Sequence, residues 1–375
     1  MGRERRGAIR HKDGKVYARL VYFDNEGNKK EKQQRVANIT EGREVLKKMI
    51  RELDDHGSNH LDAAQMTFTQ LADFYQENYI TQAKYKDGRK ISGLRGKRQV
   101  EQQLNTTKKH FGDQKIRSIT YSALERYKNT RLNVTKPNGQ TLSVAYVNRE
   151  LALIRRMLNV AVQQGWLTKN PFNAGTGLVS AADEVKRERI VTLDEEKRLL
   201  ELCVGRRAHI KPLIVCALET GMRKGEIFKL KWADVDLWND FIRVQAFNTK
   251  TLTARQVPIT ERLKKELVSL FGDGKELSEQ VFNVGNTIKT AFWNILELTG
   301  LDGLHFHDFR HTAATRMIQA GMPLQEVGRI LGHTQANTTY RYVNANAQTA
   351  TKARLALNTW REEEEKKGKR DELVN

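Results

Sequence analysis

His307-Asp308-Phe309-Arg310-His311-Thr312 is the stretch on which the reading of this chain turns. His307 and Arg310 stand three residues apart, the spacing that brings two side chains to one face of a helix. The pattern predicts that helix over 308–320, with Asp308 as a cap and Gly321 where a helix-ending glycine belongs. A second helix is expected over 323–331, closed by Gly332 and followed at once by His333. Nine residues on comes Tyr342, after Thr338-Thr339-Tyr340-Arg341. Upstream, another helix is expected over about 286–299. Pro212 to Leu218 reads as an almost wholly apolar helix closed by Gly221, after which Arg223 opens a new helix as Arg-Lys-Gly-Glu-Ile-Phe. Phe241 to Phe247 and Arg255 to Ile259 read as paired strands around a turn at 250–254, with Lys250 at its tip.

Taken singly, these polar residues have dull explanations. An arginine at a helix start is usually a surface charge, a hairpin-tip lysine is usually solvated, and a lone histidine is more often structural than catalytic. His305, His307 and His311 raise the question of a metal site, but no Asp, Glu or Cys completes a ligand spacing, and His305 and His307 point to different faces. No metal is expected.

The rest of the 375 residues bounds what such a region can serve. Lys and Arg number 65 against 45 Asp and Glu, a formal net charge of +20. That excess calls for a polyanionic partner, nucleic acid first. A membrane is the rival reading, yet no apolar run of spanning length occurs and no signal peptide is visible behind Met1. The expectation is a soluble, cytoplasmic protein with no membrane partner. The two cysteines, Cys203 and Cys216, lie in apolar helical stretches and read as buried free thiols.

Two further regions precede this one. Residues 1–58 begin with strands at Gly7 to His11, Val16 to Phe23 and Lys29 to Ala37, joined by Lys12-Asp13-Gly14-Lys15 and Asp24-Asn25-Glu26-Gly27 turns. Val16, Ala18, Leu20 and Tyr22 share one face, and Thr40 is expected to cap a helix from Glu41 to about Asp55. Residues 66–172 read as helical, with Phe68, Leu71, Phe74 and Tyr75 on one helix and Val147, Leu151, Ile154, Leu158 and Ala161 on another. From 61 to 182 there are 19 basic and 8 acidic residues. Lys84, Lys86, Arg89, Lys90, Arg95, Lys97 and Arg98 cluster in what reads as an exposed loop leading into a helix, and are the candidate phosphate contacts. Residues 173–188 read as a linker. Residues 189–362 form the third region, and 363–375 a charged tail. Tyr17, Phe68, Tyr75, Trp166 and Trp232 read as core. The expected class is multidomain and mainly α with small β elements: a three-stranded sheet plus helix, a helical domain, and an α+β domain.

As a set, two arginines, a lysine, two histidines and a tyrosine in this order resemble the signature of the tyrosine recombinases of the phage-integrase type. Thr220-Gly221-Met222-Arg223-Lys224-Gly225-Glu226-Ile227 is similar to the family's first arginine box. Asn248-Thr249-Lys250-Thr251 followed by Arg255-Gln256-Val257-Pro258-Ile259 is similar to its lysine hairpin, and His307 to Thr312 to its His-x-x-Arg box. Leu331-Gly332-His333 with Thr-Thr-Tyr-Arg-Tyr is similar to its closing box. Four ordered boxes over about 120 residues are very specific. Residues 66–172 resemble the family's core-site-binding domain, and 1–58 the arm-site-binding module of integrases, although that module often carries Trp-Tyr where this chain has Val16-Tyr17.

The resemblance implies transesterification at a DNA phosphodiester. Arg223 and Arg310 would grip the phosphoryl oxygens with permanently charged forks. His333 would add a hydrogen bond, Lys250 would protonate the departing 5′-oxygen, and His307 would act as general base toward Tyr342, the nucleophile. Tyr340 competes for that role, but two helical positions turn a side chain by about 200°, so both cannot face one phosphate. Glu226 and His311 would place the first arginine and the helix that carries His307 and Arg310. No cofactor is implied. The partners implied are double-stranded DNA attachment sites, a homotetramer on that DNA, and a host bending protein or directionality factor. A type IB topoisomerase and a non-catalytic DNA-binding protein are the alternatives; the arm-like module speaks against the first and the complete polar set against the second.

Overall fold

In the computed structural model, which describes residues 6–86, 89–184, 189–245, 254–272, 274–283, 288–333 and Thr339, Thr359 and Arg361, the chain divides into two units, Met1–Lys186 and Arg187–Asn375. It is a mainly helical, multidomain protein with small antiparallel sheets. Among the described residues, no helix is long and apolar enough to cross a membrane.

The first unit starts with an antiparallel sheet in the order β1 (Arg6–Lys12), β2 (Lys15–Phe23), β3 (Lys29–Val36). Asp13 and Gly14 both take positive φ, the left-handed pair that a two-residue hairpin needs to match strand twist. Strand alternation sends Ala18, Leu20 and Tyr22 inward against α1 (Ile39–Asp62), where Met49, Leu53 and Leu61 complete a small core. Burying Leu20 completely contributes about 1.5–3 kcal/mol. Tyr17 falls on the other parity. It is half-buried between its register partners Arg10 and Arg35, on the outer face rather than in the core expected for it. The entrance to α1 also differs from expectation. Asn38, not Thr40, accepts the Glu41 N–H at 2.9 Å, while the Glu41 carboxylate accepts the Ala37 N–H at 2.6 Å. The helix runs past residue 55, breaks at Gly57 (φ +80°) and resumes to Asp62.

The helical layer of this unit comprises α2 (Phe68–Tyr79), α3 (Lys97–Phe111), α4 (Tyr121–Leu132) and α5 (Val144–Gln163). Thr67 and Gln70 cap α2 reciprocally. Phe68, Leu71, Leu104, Leu124, Leu151 and Ile154 are fully buried among them, and Trp166 packs edge-on to Phe74 at the margin of that core. Glu150 is also fully buried, and it is paired there: Arg131 clasps both of its oxygens at 2.8 Å and the Tyr127 hydroxyl donates to one at 2.8 Å. The stretch expected as a loop between α2 and α3 contains a two-stranded hairpin, β4 (Lys84–Lys86) with β5 (Arg89–Ser92). The described part of the expected linker, residues 173–184, is held to the helical layer. Leu178 is buried in the helical core, and Asn148 donates to the Ser180 carbonyl at 2.8 Å and the Glu184 carboxylate at 2.9 Å. The sheet-bearing part is bonded to the helical layer as well: Asn59 donates to the Gln164 carbonyl at 3.0 Å, and Arg117 donates to the His60 carbonyl and lies 3.8 Å from Glu52.

The second unit orders as α6 (Leu193–Glu201), α7 (Lys211–Thr220), α8 (Lys224–Ile227), β6 (Val235–Asp236), β7 (Phe241–Val244), β8 (Arg255–Pro258), α9 (Glu261–Phe271), α10 (Lys289–Thr299), α11 (Phe306–Gln319) and α12 (Leu324–Leu331). α7 is its hub, apolar nearly all round and buried nearly all round, as such a helix must be. α11 and α9 pack on it, and the sheet β6-β7-β8 sends Ile242, Val244 and Val257 into the same core. Cys203 and Cys216 are buried and unbridged. Burial pushes their thiols up to about 11 and about 12.

Candidate active site

The site is assembled where two helices end. α7 stops at Gly221 and α12 at Gly332, both in the left-handed conformation (φ +62° and +68°) that lets a helix close without a side-chain penalty. The last carbonyls of a helix have no partner within it and carry the negative end of its dipole. At α12 three consecutive carbonyls are taken by three guanidiniums. Arg255 Nε donates to the Ile330 oxygen at 2.6 Å, Arg310 Nη2 to the Leu331 oxygen at 2.7 Å, and Arg223 Nη2 to the Gly332 oxygen at 3.3 Å. Arg310 also donates through Nη1 to the Gly221 oxygen at 2.7 Å, so one side chain ties both helix ends together.

Each arginine is set by its own element. Arg310 lies in the first half of α11, on the face turned toward α7, and is only 2% exposed. Arg223 follows the Gly221 turn as the residue preceding α8. Its backbone N–H donates to Glu226 Oε2 at 2.9 Å, and its Nη1 to Oε1 at 3.0 Å. Its side chain keeps 25% of its surface in solvent. Arg255 begins β8 on the inward parity, and donates to Glu226 Oε2 at 2.7 Å and Oε1 at 3.3 Å. Burial alone would raise the Glu226 carboxyl. The hydrogen bonds and charge of Arg255, then the Arg223 N–H and charge, outweigh it and hold Glu226 below the ordinary carboxylate value.

His333 follows Gly332, with its N–H on the Gly328 carbonyl at 2.9 Å. Its Nε2 lies 2.9 Å from Arg310 Nη2, and its Nδ1 lies 2.8 Å from the Thr339 hydroxyl. An arginine has only donors, so Nε2 is the acceptor there and the proton of the neutral ring sits on Nδ1. His307 is exposed near the start of α11, its ring 5.2 Å from that of buried His311. The helix begins at Phe306, two residues before the start expected, so Asp308 lies inside its first turn rather than preceding it and accepts the N–H of His305, the N-cap residue, at 2.7 Å.

The chain therefore brings together Arg223, Glu226, Arg310 and His333 of the expected set, and places His307 and His311 on α11. Lys250, Tyr342 and the competing Tyr340 lie outside the described residues. Two members were not foreseen, Arg255 and Thr339. Arg255 had a signal in the sequence: it shares strand parity with Val257 and Ile259, and a charge on the buried face of a strand demands a partner. Thr339 had none. Of the seven basic residues proposed to meet phosphate, Lys84, Lys86, Lys90, Arg95 and Arg98 are exposed on the β4–β5 hairpin and the start of α3, while Lys97 is half-buried 3.6 Å from Glu101. Arg89 is described only as a position in β5. No group of three His, Cys, Asp or Glu among the described residues is arranged to hold a metal.

Comparison with known proteins gives a consistent picture. Residues 189–349 match the phage integrase family. A shufflon-specific DNA recombinase of Escherichia coli is 30% identical over 237 residues, 61% of this chain and 59% of the relative. A XerC-like tyrosine recombinase of Caldanaerobacter subterraneus subsp. tengcongensis is 28% identical over 250 residues, 55% of this chain and 63% of the relative. The chain thus spans about three-fifths of the length of these curated relatives. In fold, it resembles the integrase of the transposon Tn1549 solved with transposon right-end DNA, with a TM-score of 0.62 at 20% identity, over 78% of this chain and all of that one.

Proposed function

We propose that this chain, whose residues 189–349 match the phage integrase family, is a tyrosine recombinase: a site-specific integrase that cuts and rejoins DNA through a 3′-phosphotyrosyl intermediate on Tyr342. The observation that carries the reading is the meeting of Arg223, Arg310 and His333 at the ends of α7 and α12. A phosphodiester is anionic, and its transition state loads more charge on the phosphoryl oxygens. Preorganised guanidiniums are the groups that stabilise such charge without reorganising at the moment of reaction.

Arg223, partly open to solvent, meets the phosphate first. Arg310 contributes charge from a desolvated position and can exchange its His333 contact for a phosphoryl oxygen. His333 donates to the phosphate once a proton resides on Nε2. Tyr342 attacks phosphorus, losing its proton to the His307 position, and the 5′-oxygen leaves with a proton from Lys250. The reverse steps, with a 5′-hydroxyl as nucleophile and the phenol as leaving group, rejoin the strand, so no bond energy is lost to water. The partner is double-stranded DNA carrying attachment sites. It is gripped by the basic first unit, with four protomers on two duplexes, in the integration or excision of a mobile element.

The test is a pool of nicked duplexes with a randomised core, incubated with the full chain and resolved under denaturing conditions. A covalent adduct is expected whose peptide map places DNA on Tyr342, and Tyr342→Phe should form none. An adduct on another residue would refute the assignment.

A further inference from the structure

We infer that Arg255 is a positioning residue for strand cleavage: by clasping the Glu226 carboxylate it leaves the charge of Arg223 available to a phosphate. The inference rests on the recombinase reading and adds to it a residue outside the set that this reading assigns to the phosphate and the nucleophile.

A guanidinium on the inner face of a strand costs several kcal/mol to desolvate unless every side of it is paired. Arg255, with 7% of its side chain exposed, is paired on two sides: Nε on the Ile330 carbonyl and the terminal nitrogens on both oxygens of Glu226. Its third neighbour is Gly332, where an added Cβ would lie 3.0 Å from Nη1 and 3.2 Å from Cζ. The glycine that ends α12 thus also makes room for this guanidinium.

Glu226 is claimed twice, since Oε1 also accepts from Arg223 Nη1 at 3.0 Å. The two arginines differ in what they face. Arg255 is sequestered, whereas Arg223 is a quarter exposed at the mouth of the site. With Arg255 present, the carboxylate orients Arg223 but its charge is already balanced. Without Arg255, a buried carboxylate would face Arg223 with its charge uncompensated. It would cancel that charge at short range in a weakly screening environment, and would draw the guanidinium inward, away from an incoming phosphoryl oxygen.

This makes a prediction that a simple structural staple does not. If Arg255 only held β8 to α12, removing Glu226 as well would add damage. If it acts through the charge of Glu226, neutralising Glu226 should repair part of the loss. The experiment measures adduct formation by the full chain on the nicked duplexes described above, at saturating DNA, with duplex affinity and unfolding midpoint recorded for each variant. Arg255→Gln is expected to slow cleavage about 100-fold while changing affinity by less than about 3-fold. Arg255→Lys, which keeps the charge but not the fork, should fall between it and wild type. Arg255→Gln combined with Glu226→Gln should cleave about 10-fold faster than Arg255→Gln alone. A double variant no faster than the single one overturns the inference, as does wild-type cleavage by Arg255→Gln. Should Arg255→Gln fail to fold, Arg255→Lys is compared with and without Glu226→Gln, and absence of any gain again overturns it. A wild-type chain that forms no adduct would sink the recombinase reading and this inference together; an active wild type with an unrepaired double variant sinks only this one.

Discussion

Arg310 joins two helix ends and a histidine with one planar group, and its replacement separates geometry from charge. Arg310→Lys keeps the charge but cannot reach the Gly221 carbonyl, the Leu331 carbonyl and His333 Nε2 at once. Adduct formation by this variant should fall about 10²–10³-fold, and a drop below 5-fold would mean that charge alone suffices. Glu226 gives a second test. Its carboxyl is held below the ordinary value of 4.5, so its contribution to stability is present above that pH and is lost as pH falls through the lowered value. Wild type should therefore lose unfolding temperature below pH 4.5 more steeply than Glu226→Gln, measured by thermal melts across that range. The residues visible in the sequence were those whose polarity was out of place at a helix end: Arg223 after Gly221, His333 after Gly332, and His307 with Arg310 on one helix. Thr339 was invisible because a hydroxyl that steadies an imidazole looks like any other threonine; Arg255 was marked by its inward strand parity, but its partners were hidden because they lie 29 and 75 residues away along the chain.

At the level of elements, the closing turns of α7 and α12 matter more than the helices they close. A Cβ at residue 221 would lie 2.5 Å from a methyl of Leu331, on a backbone that already disfavours any side chain. Gly221→Ala should cost about 1–3 kcal/mol of stability. It should also impair cleavage beyond that loss, because the Gly221 carbonyl that orients Arg310 moves with the turn; paired chemical denaturation and adduct rates would show it. Periodicity made the long elements legible. α5, α7, α11 and α12 lie where their apolar spacing and terminal glycines put them, and the sheet strands follow their alternation. The failures were local. Asn38 displaced Thr40 as a cap because either can accept the N–H three residues on, and only the path out of β3 decides between them. β4 and β5 carry no apolar face, so no pattern announced them. Within the expected linker, Asn148 and the burial of Leu178 hold residues 173–184 to the helical layer, single contacts that composition does not record.

Across the whole molecule, charge is unevenly divided. Residues 1–186 hold 35 of the 65 Lys and Arg but only 20 of the 45 Asp and Glu, so this unit carries +15 of the net +20. On the proposed function, residues 1–186 expressed alone should bind duplex DNA with an affinity that falls about 10³-fold or more between 50 and 200 mM salt; a flat response would remove phosphate contacts as the source of grip. The same unit has another property. Beyond the break in α1 at Gly57, Asn59 donates to the Gln164 carbonyl and Arg117 of the helical layer donates to the His60 carbonyl, so the sheet-bearing part and the helical layer are fastened together. A body joined in this way behaves like a ruler with two marks. When its sheet and its helical layer engage one duplex, the two recognised sequences must present themselves on a fixed side of the double helix. Lengthening the spacer by about 5 base pairs should then turn one sequence to the wrong side and break joint occupancy, while adding about 10 should bring it round again.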